Sequence, residues 1–298
     1  MIKYWIEAFR LRTLPLSLAC IGMGSFLAAS QKMFRWEVFL LSGLTTIFLQ
    51  ILSNLANDYG DSKHGADSDE REGPSRAVQS GKISAKAMKN AMILFATLSL
   101  ISGLSLIWVS FGNENFIYIL IFLILGILAI GAAITYTAGP SPYGYAGLGD
   151  ISVMIFFGWL GVLGTFYLHT NTWDWLNLLP ATSCGLFATA VLNVNNIRDI
   201  PSDKIAGKMS IPVRIGRKKA RIYHWLLLVS GMVLSLTYVL LNFQSGWQLL
   251  FLLALPLLLK NGNAVSKYEK PGDLDPYLKQ MALTTLIFVL TFGIGQII

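Results

Sequence analysis

Residues 38–52 read VFLLSGLTTIFLQIL, and residues 54–82 behind them read NLANDYGDSKHGADSDEREGPSRAVQSGK. The first run is apolar enough to enter a bilayer. The second places Asp58, Asp61, Asp67, Asp69, Glu70 and Glu72 directly after it. Ionised carboxylates at the edge of a membrane span are costly, and where they occur they mark a functional site. The pairing of these two runs predicts a helical membrane protein whose chemistry sits at a helix end.

Composition agrees with that prediction. The 298 residues are 54% hydrophobic and 13% charged, with a mean hydropathy of +0.58, whereas a soluble domain carries about 25% charged residues. Apolar stretches long enough for the roughly 20 residues a crossing requires fall near 14–30, 37–56, 89–110, 115–135, 148–168, 175–194, 222–241, 246–260 and 281–298. They predict an all-α bundle of about nine transmembrane helices in one domain spanning residues 1–298, with an internal repeat of roughly 1–140 and 141–298. The 246–260 stretch is short and contains Pro256, so a count of eight or ten stays open. Cys20 and Cys184 each lie inside an apolar run and read as packing residues, not as a disulfide framework.

Basic residues set the expected orientation. Of the 23 Lys and Arg, only Lys32 and Arg35 fall on one side; the rest lie in the N-terminal segment and in the loops after the even-numbered spans. Lysine and arginine mark the cytoplasmic face, so the N-terminus is expected in the cytoplasm. The net charge of +7 is therefore a topology signal, and nucleic-acid binding is excluded. Tyr4, Trp5 and Phe9 interleaved with Lys3, Arg10 and Arg12 predict a short interfacial helix before the first span. A signal peptide cleaved near Ala28-Ala29-Ser30 competes with that reading, but Pro15 follows Arg12 closely and the later spans need no cleaved signal.

If the second span stays helical past Asn54, then Asn54, Asp58 and Asp61 share one face and Asn57 pairs with Asp61 at i+4. Such a face offers oxygen ligands with no cysteine, which selects Mg²⁺ or Ca²⁺ over zinc. An EF-hand over Asp61–Glu72 fails, because Lys63 and Gly65 occupy ligand positions and Ala66 stands where glycine is required. Asp69, Glu70 and Glu72 read as solvated loop. His64 lies near the carboxylates, while His169 and His224 read as interfacial.

A second cluster follows the sixth apolar stretch in NVNNIRDIPSDKIAGK, residues 193–208, where Asn195, Asp199 and Asp203 are again spaced by four. Asn196 adds a further amide oxygen. Each cluster leads to a glycine followed by a cation, Gly81-Lys82 and Gly216-Arg217, which suggests two copies meeting at one site. Paired carboxylates with nearby cations suit a metal diphosphate: Mg²⁺ is held by a few carboxylates plus phosphate oxygens, and two ions would stabilise diphosphate as a leaving group. Arg12, Arg76, Lys82, Lys204, Lys208 and Arg214 are the candidate diphosphate-binding cations. Pro201 removes a backbone donor between Asp199 and Asp203, so Asp203 is expected on a new turn. A cation-coupled carrier would hold its carboxylates near the bilayer midplane, whereas both clusters end helices, which favours an enzyme.

These residues resemble the UbiA superfamily of intramembrane prenyltransferases. Asn57 and Asp61 match the first two positions of its N-x-x-x-D-x-x-x-D motif; the third falls on Gly65, with Asp67 the nearest acid. Asp199 and Asp203 match its D-x-x-x-D motif. The stretches NLANDYGDSKHGAD, SRAVQSG, YTAGPSPYGYAGLGD and NNIRDIPSDKIAGK are similar to the group acting on 1,4-dihydroxy-2-naphthoate (MenA), which shares the displaced acid.

That resemblance implies transfer of an all-trans polyprenyl group from its diphosphate to 1,4-dihydroxy-2-naphthoate with loss of CO₂, giving demethylmenaquinone, at the inner membrane of a bacterium. Asp58, Asp61, Asp199 and Asp203 would be catalytic, and with Asn57, Asp67, Asn195 and Asn196 they would hold two Mg²⁺. Acceptors such as 4-hydroxybenzoate or homogentisate stay open. The segment Tyr136–Gly149 is expected to be irregular, and Tyr136–Asp150 to line the acceptor pocket through Tyr136, Tyr143 and Asp150, with Tyr145 and Phe157 as further aromatic walls for an allylic cation. It contains no Lys or Arg, so the diphosphate-binding lysine that some superfamily members place there has no counterpart. Asp150 either orients an acceptor hydroxyl or caps the fifth helix.

Overall fold

The computed structural model describes residues 1–64, 76–268 and 270–298, and every regular element among them is helical. Nine helices among the described residues are long and apolar enough to cross a membrane: Ile2–Ser30, Trp36–His64, Ala85–Phe111, Phe116–Thr135, Gly149–Thr170, Trp175–Arg198, Ile211–Leu241, Gly246–Lys267 and Pro271–Ile297. They are numbered here as spans one to nine. The chain is a multi-pass membrane protein.

The first span carries the expected interfacial helix, Ile2–Phe9, which ends at Arg10 in the left-handed conformation (φ 49°) before Leu14–Ser30 begins. Pro256 does not break the eighth span. It stands in the first turn of the α-helix Leu255–Lys267, which continues a tighter 3₁₀ segment, Gly246–Ala254. A proline costs nothing in a first turn, where its missing N–H has no helical partner.

The second span positions the site. Its 29 residues form one helix, about 43 Å long at 1.5 Å per residue. That exceeds the ~30 Å hydrocarbon core, so the helix is long enough to cross and still carry the polar turns Asn54 to His64. The sixth span ends in the same way at Arg198, and Pro201 starts the short helix Ile200–Ile205, as its missing backbone donor requires.

The core lies between the first, fifth, sixth, seventh, eighth and ninth spans, where Met23, Leu27, Phe166, Phe187, Val239, Phe251, Phe288 and Phe292 are fully buried. Small residues let these helices approach: a Cβ on Gly158 of the fifth span would lie 2.9 Å from Gly185 Cα of the sixth. Such close backbone approach drives helix packing where lipid removes the hydrophobic incentive. Cys20 and Cys184 are both buried free thiols in this core. The fourth span, by contrast, has no buried residue and packs chiefly on the second and third.

Two histidines correct the sequence reading. His169 and His224 are not interfacial: they are 3% and 0% exposed. His169 bonds the Ser25 hydroxyl at 3.0 Å and accepts from the Arg35 backbone at 3.1 Å, and His224 reaches the Asn261 side chain at 2.9 Å. Their aromatic neighbours suggest an interface, but buried polar partners outweigh that signal.

Candidate active site

The end of the second span turns its polar face inward. Asp61 is 4% exposed; one oxygen forms an ion pair with Arg76, and the other accepts from the Tyr145 hydroxyl at 3.0 Å. Asn57 accepts from the Thr137 hydroxyl at 2.9 Å. Asn54 donates to the Phe9 carbonyl at 2.9 Å and to Thr13 at 3.1 Å, so it ties the interfacial helix to the second span. Both oxygens of Asp58 accept backbone N–H groups, from Ala77 and Val78, each at 3.0 Å.

At the end of the sixth span, Arg198 grips Asp199 with two nitrogens, Nε to Oδ1 at 2.7 Å and Nη2 to Oδ2 at 2.8 Å. Asn195 donates to the same carboxylate at 3.3 Å. Asp203 pairs with Lys208 at 3.3 Å, while its Oδ2 is buried without a hydrogen-bond partner, as is Oδ1 of Asn196. Burial pushes the Asp203 carboxyl up to about 6, with the Lys208 ammonium opposing and the Asp199 charge adding to the rise. Burial also works to lower Lys208, but Asp203 together with Tyr136 and Asp61 holds it above the usual lysine range.

A cavity of about 440 Å³ joins the two motifs. Asn57, Asp61, Arg76, Tyr136, Tyr143, Asn195, Asn196 and Lys208 line its polar end, with Phe157 beside them. From there it follows the second span past Gln50, Thr46 and Ser42 to Leu106, Ile107 and Leu168. Nineteen residues of helix separate Ser42 from Asp61, about 28 Å, so the cavity runs through most of the bundle.

The other expected residues stand elsewhere. Arg12, Lys82, Lys204 and Arg214 are exposed. Lys82 lies over the Tyr4 ring at 5.3 Å, and Arg214 donates to the Ala146 and Met209 carbonyls at 2.7 and 2.9 Å, holding two loops together. Asp58, Asp199 and Asp203 are buried and do not themselves line the cavity; Asp203 and Asp199 adjoin it through their contacts with the lining residues Lys208 and Asn195. Asp150 does not cap the fifth span, whose N-cap is Leu148 without a side-chain bond; it accepts from the Tyr223 hydroxyl at 2.8 Å. Asp67, Asp69, Glu70 and Glu72 lie outside the described residues. Residues not foreseen are Arg10 and Thr137, which line the cavity, and Arg198 with its partner Asp275.

The donor set fits a hard cation. The unpartnered oxygens of Asp203 and Asn196 are ligands of the kind Mg²⁺ prefers, and neutral amide and carboxylate oxygens dominate the polar end. Among the described residues no three His, Cys, Asp or Glu side chains form a closed cage. That suits an ion completed by phosphate oxygens, not one held by protein alone.

A helical bundle with two Asn/Asp motifs at adjacent span ends, opening on one long cavity, is the architecture of intramembrane prenyl-transfer enzymes. Solved structures share the fold: a UbiA homolog from Aeropyrum pernix, in an apo structure, matches with a TM-score of 0.71 at 15% identity, over 96% of this chain and 98% of that one. A UbiA homolog from Archaeoglobus fulgidus bound to DMAPP and Mg²⁺ matches with a TM-score of 0.66 at 17% identity, covering 98% of each chain. The chain belongs to the UbiA prenyltransferase family, matched over residues 17–294. It is 48% identical to the 1,4-dihydroxy-2-naphthoate octaprenyltransferase of Haemophilus influenzae, over 100% of this chain and 96% of that protein. Identity to the Escherichia coli protein of the same name is also 48%, over 98% and 96%, and to the Mycobacterium tuberculosis one 35%, over 96% and 94%.

Proposed function

We propose that this protein transfers a polyprenyl group from polyprenyl diphosphate to 1,4-dihydroxy-2-naphthoate in menaquinone biosynthesis. The observation that carries the reading is the single cavity joining Asp61–Arg76 and Asn195–Lys208 to an apolar passage along the second span. A diphosphate head and a long apolar tail need that combination. The identity of 48% over the full chain with relatives named for this acceptor supports it.

Arg76 and Lys208 bind the diphosphate oxygens, Arg76 with the planar fork that phosphate recognition favours. Asn57, Asp61, Asn195, Asn196 and Asp203 would hold Mg²⁺, as two ions, with Asp199 beside them. Bound to these residues, the ions would supply positive charge to offset that of the departing diphosphate. The allylic C–O bond breaks and its electron pair leaves with diphosphate. Tyr136 and Tyr143 face the resulting allylic carbon and stabilise it through their rings. The acceptor's ring carbon forms the new C–C bond, and its carboxylate departs as CO₂, leaving the quinol form of demethylmenaquinone. The mainly apolar lining of the cavity disfavours capture of the allylic carbon by water. Asp58, with both oxygens engaged by the 77–78 backbone, has the role of anchoring that loop.

In this reading the site faces the cytoplasm at a bacterial inner membrane, and the bias of Lys and Arg supports that orientation. The test is to incubate the purified protein in detergent with Mg²⁺, labelled polyprenyl diphosphate and a panel of aromatic acids, measuring prenylated product and CO₂ together. Product from dihydroxynaphthoate with equal CO₂ is expected; turnover only with 4-hydroxybenzoate or homogentisate would reassign the acceptor, and none at all would end the enzyme reading.

A further inference from the structure

Arg198 is 2% exposed and uses all three guanidinium nitrogens. Nε and Nη2 hold the two oxygens of Asp199 at 2.7 and 2.8 Å. Nη2 also donates to Asn195 Oδ1 at 2.9 Å. The third nitrogen, Nη1, reaches Asp275 Oδ1 at 2.6 Å. Asp275 opens the long helix of the ninth span, Asp275–Ile297, where a helix N-terminus favours negative charge. Neither Arg198 nor Asp275 lines the cavity.

We propose that Arg198 and Asp275 are positioning residues, which set the orientation and the effective charge of Asp199 and Asn195 for a Mg²⁺–diphosphate. This inference rests on the metal-diphosphate reading above. The two-point grip fixes the plane of the Asp199 carboxylate, and the bond to Asn195 fixes the neighbouring amide. Arg198 takes one site on each oxygen of Asp199 and Asn195 takes a further one on Oδ2, so the carboxylate is held from two neighbours in one orientation. Charge supplies the second half of the inference. Alone, a buried guanidinium against Asp199 would cancel the negative charge that attracts the cation. Asp275 offsets it, so Asp199, Arg198 and Asp275 together carry one net negative charge. The ninth span, remote in sequence, thereby adjusts the metal affinity of the second motif. Outer partners of metal-binding carboxylates have this effect elsewhere, and their loss costs 10–100-fold in affinity or activity.

The test is calorimetric titration of Mg²⁺ into the purified protein in detergent with inorganic diphosphate, so that the readout is binding and not turnover. Asp275→Asn is expected to raise the half-saturating Mg²⁺ concentration roughly tenfold, and Asp275→Glu, which keeps the charge, to restore it. Unfolding temperatures are followed alongside. Equal half-saturation in wild type and Asp275→Asn overturns the inference. If Asp275→Asn does not fold, Arg198→Lys asks the same question by keeping the charge and losing the fork. A raised half-saturation then supports the inference, and an unchanged one overturns it. Absence of Mg²⁺ binding in the wild type overturns the metal reading, and this inference with it.

Discussion

Tyr145, in the loop between the fourth and fifth spans, donates its hydroxyl to Asp61 Oδ1 at 3.0 Å across 84 residues of sequence. The bond joins the expected acceptor loop to the first motif. Hydrogen bonds to charged groups contribute about 1.5–3 kcal/mol. Tyr145→Phe is therefore expected to lower kcat/KM by roughly tenfold or more, in an assay with labelled polyprenyl diphosphate. Asp61→Asn, which also loses the Arg76 ion pair, is expected to abolish turnover in a protein that still folds. A wild-type rate in Asp61→Asn would remove Asp61 from the site, and one in Tyr145→Phe would show that the loop bond does not tune it.

Asp58 and Asp61 stand one helical turn apart but are predicted to fail differently. The Asp58 carboxylate satisfies the N–H groups of Ala77 and Val78, and leaving buried donors unpaired costs about 1–3 kcal/mol each. Asp58→Ala should lower the unfolding temperature in detergent. Its remaining folded fraction should show a Mg²⁺ dependence of turnover equal to that of wild type. A shifted Mg²⁺ dependence at unchanged stability would make Asp58 a ligand.

Lys208 and Asp203 form a buried pair 3.3 Å apart, with side chains 10% and 6% exposed. Removing one partner of a buried pair costs about 3–5 kcal/mol, because the other charge is stranded. Lys208→Met alone should be strongly destabilised, and Lys208→Met with Asp203→Asn should recover much of that stability without recovering turnover. Thermal unfolding and prenyl transfer measured on both variants separate the two effects.

The spans were legible because crossing a bilayer imposes a length that composition reveals. Both motifs were legible for a related reason: carboxylates at Asp61 and Asp199 stand out against apolar surroundings, and four-residue spacing maps onto one helix face. Partner choice was not. Arg198 is visible beside Asp199, but its contact with Asp275 spans 77 residues and no local pattern announces it. The same limit applies to Lys82 and Arg214, basic residues near the motifs that fold outward onto Tyr4 and onto loop carbonyls. His224 sits between Tyr223 and Trp225, an interfacial composition, yet Asn261 from another span buries it. Local composition reports what a segment tolerates, while the tertiary contacts decide which face meets which neighbour.

Gly60 gives the sharpest test of how the first motif is seated. A Cβ at this position would lie 2.3 Å from the Thr137 carbonyl oxygen and 2.8 Å from the Ala138 nitrogen, both backbone atoms that no rotamer change can move. The second span thus meets the Tyr136–Ala138 segment at a point only glycine allows, and that contact sets the distance from Asn57 to Thr137 and from Asp61 to Tyr145. Overpacking costs about 1–3 kcal/mol when side chains can yield, and a backbone obstacle leaves less room to yield. Gly60→Ala is expected to lower the unfolding temperature and to cut turnover by well over tenfold, because the helix must back away and carry Asn57 and Asp61 with it. Gly126→Ala on the fourth span, where an added Cβ meets nothing within 4 Å, should leave the unfolding temperature near that of wild type. Comparable stability losses in the two variants would show that the Gly60 contact does not hold the motif in place.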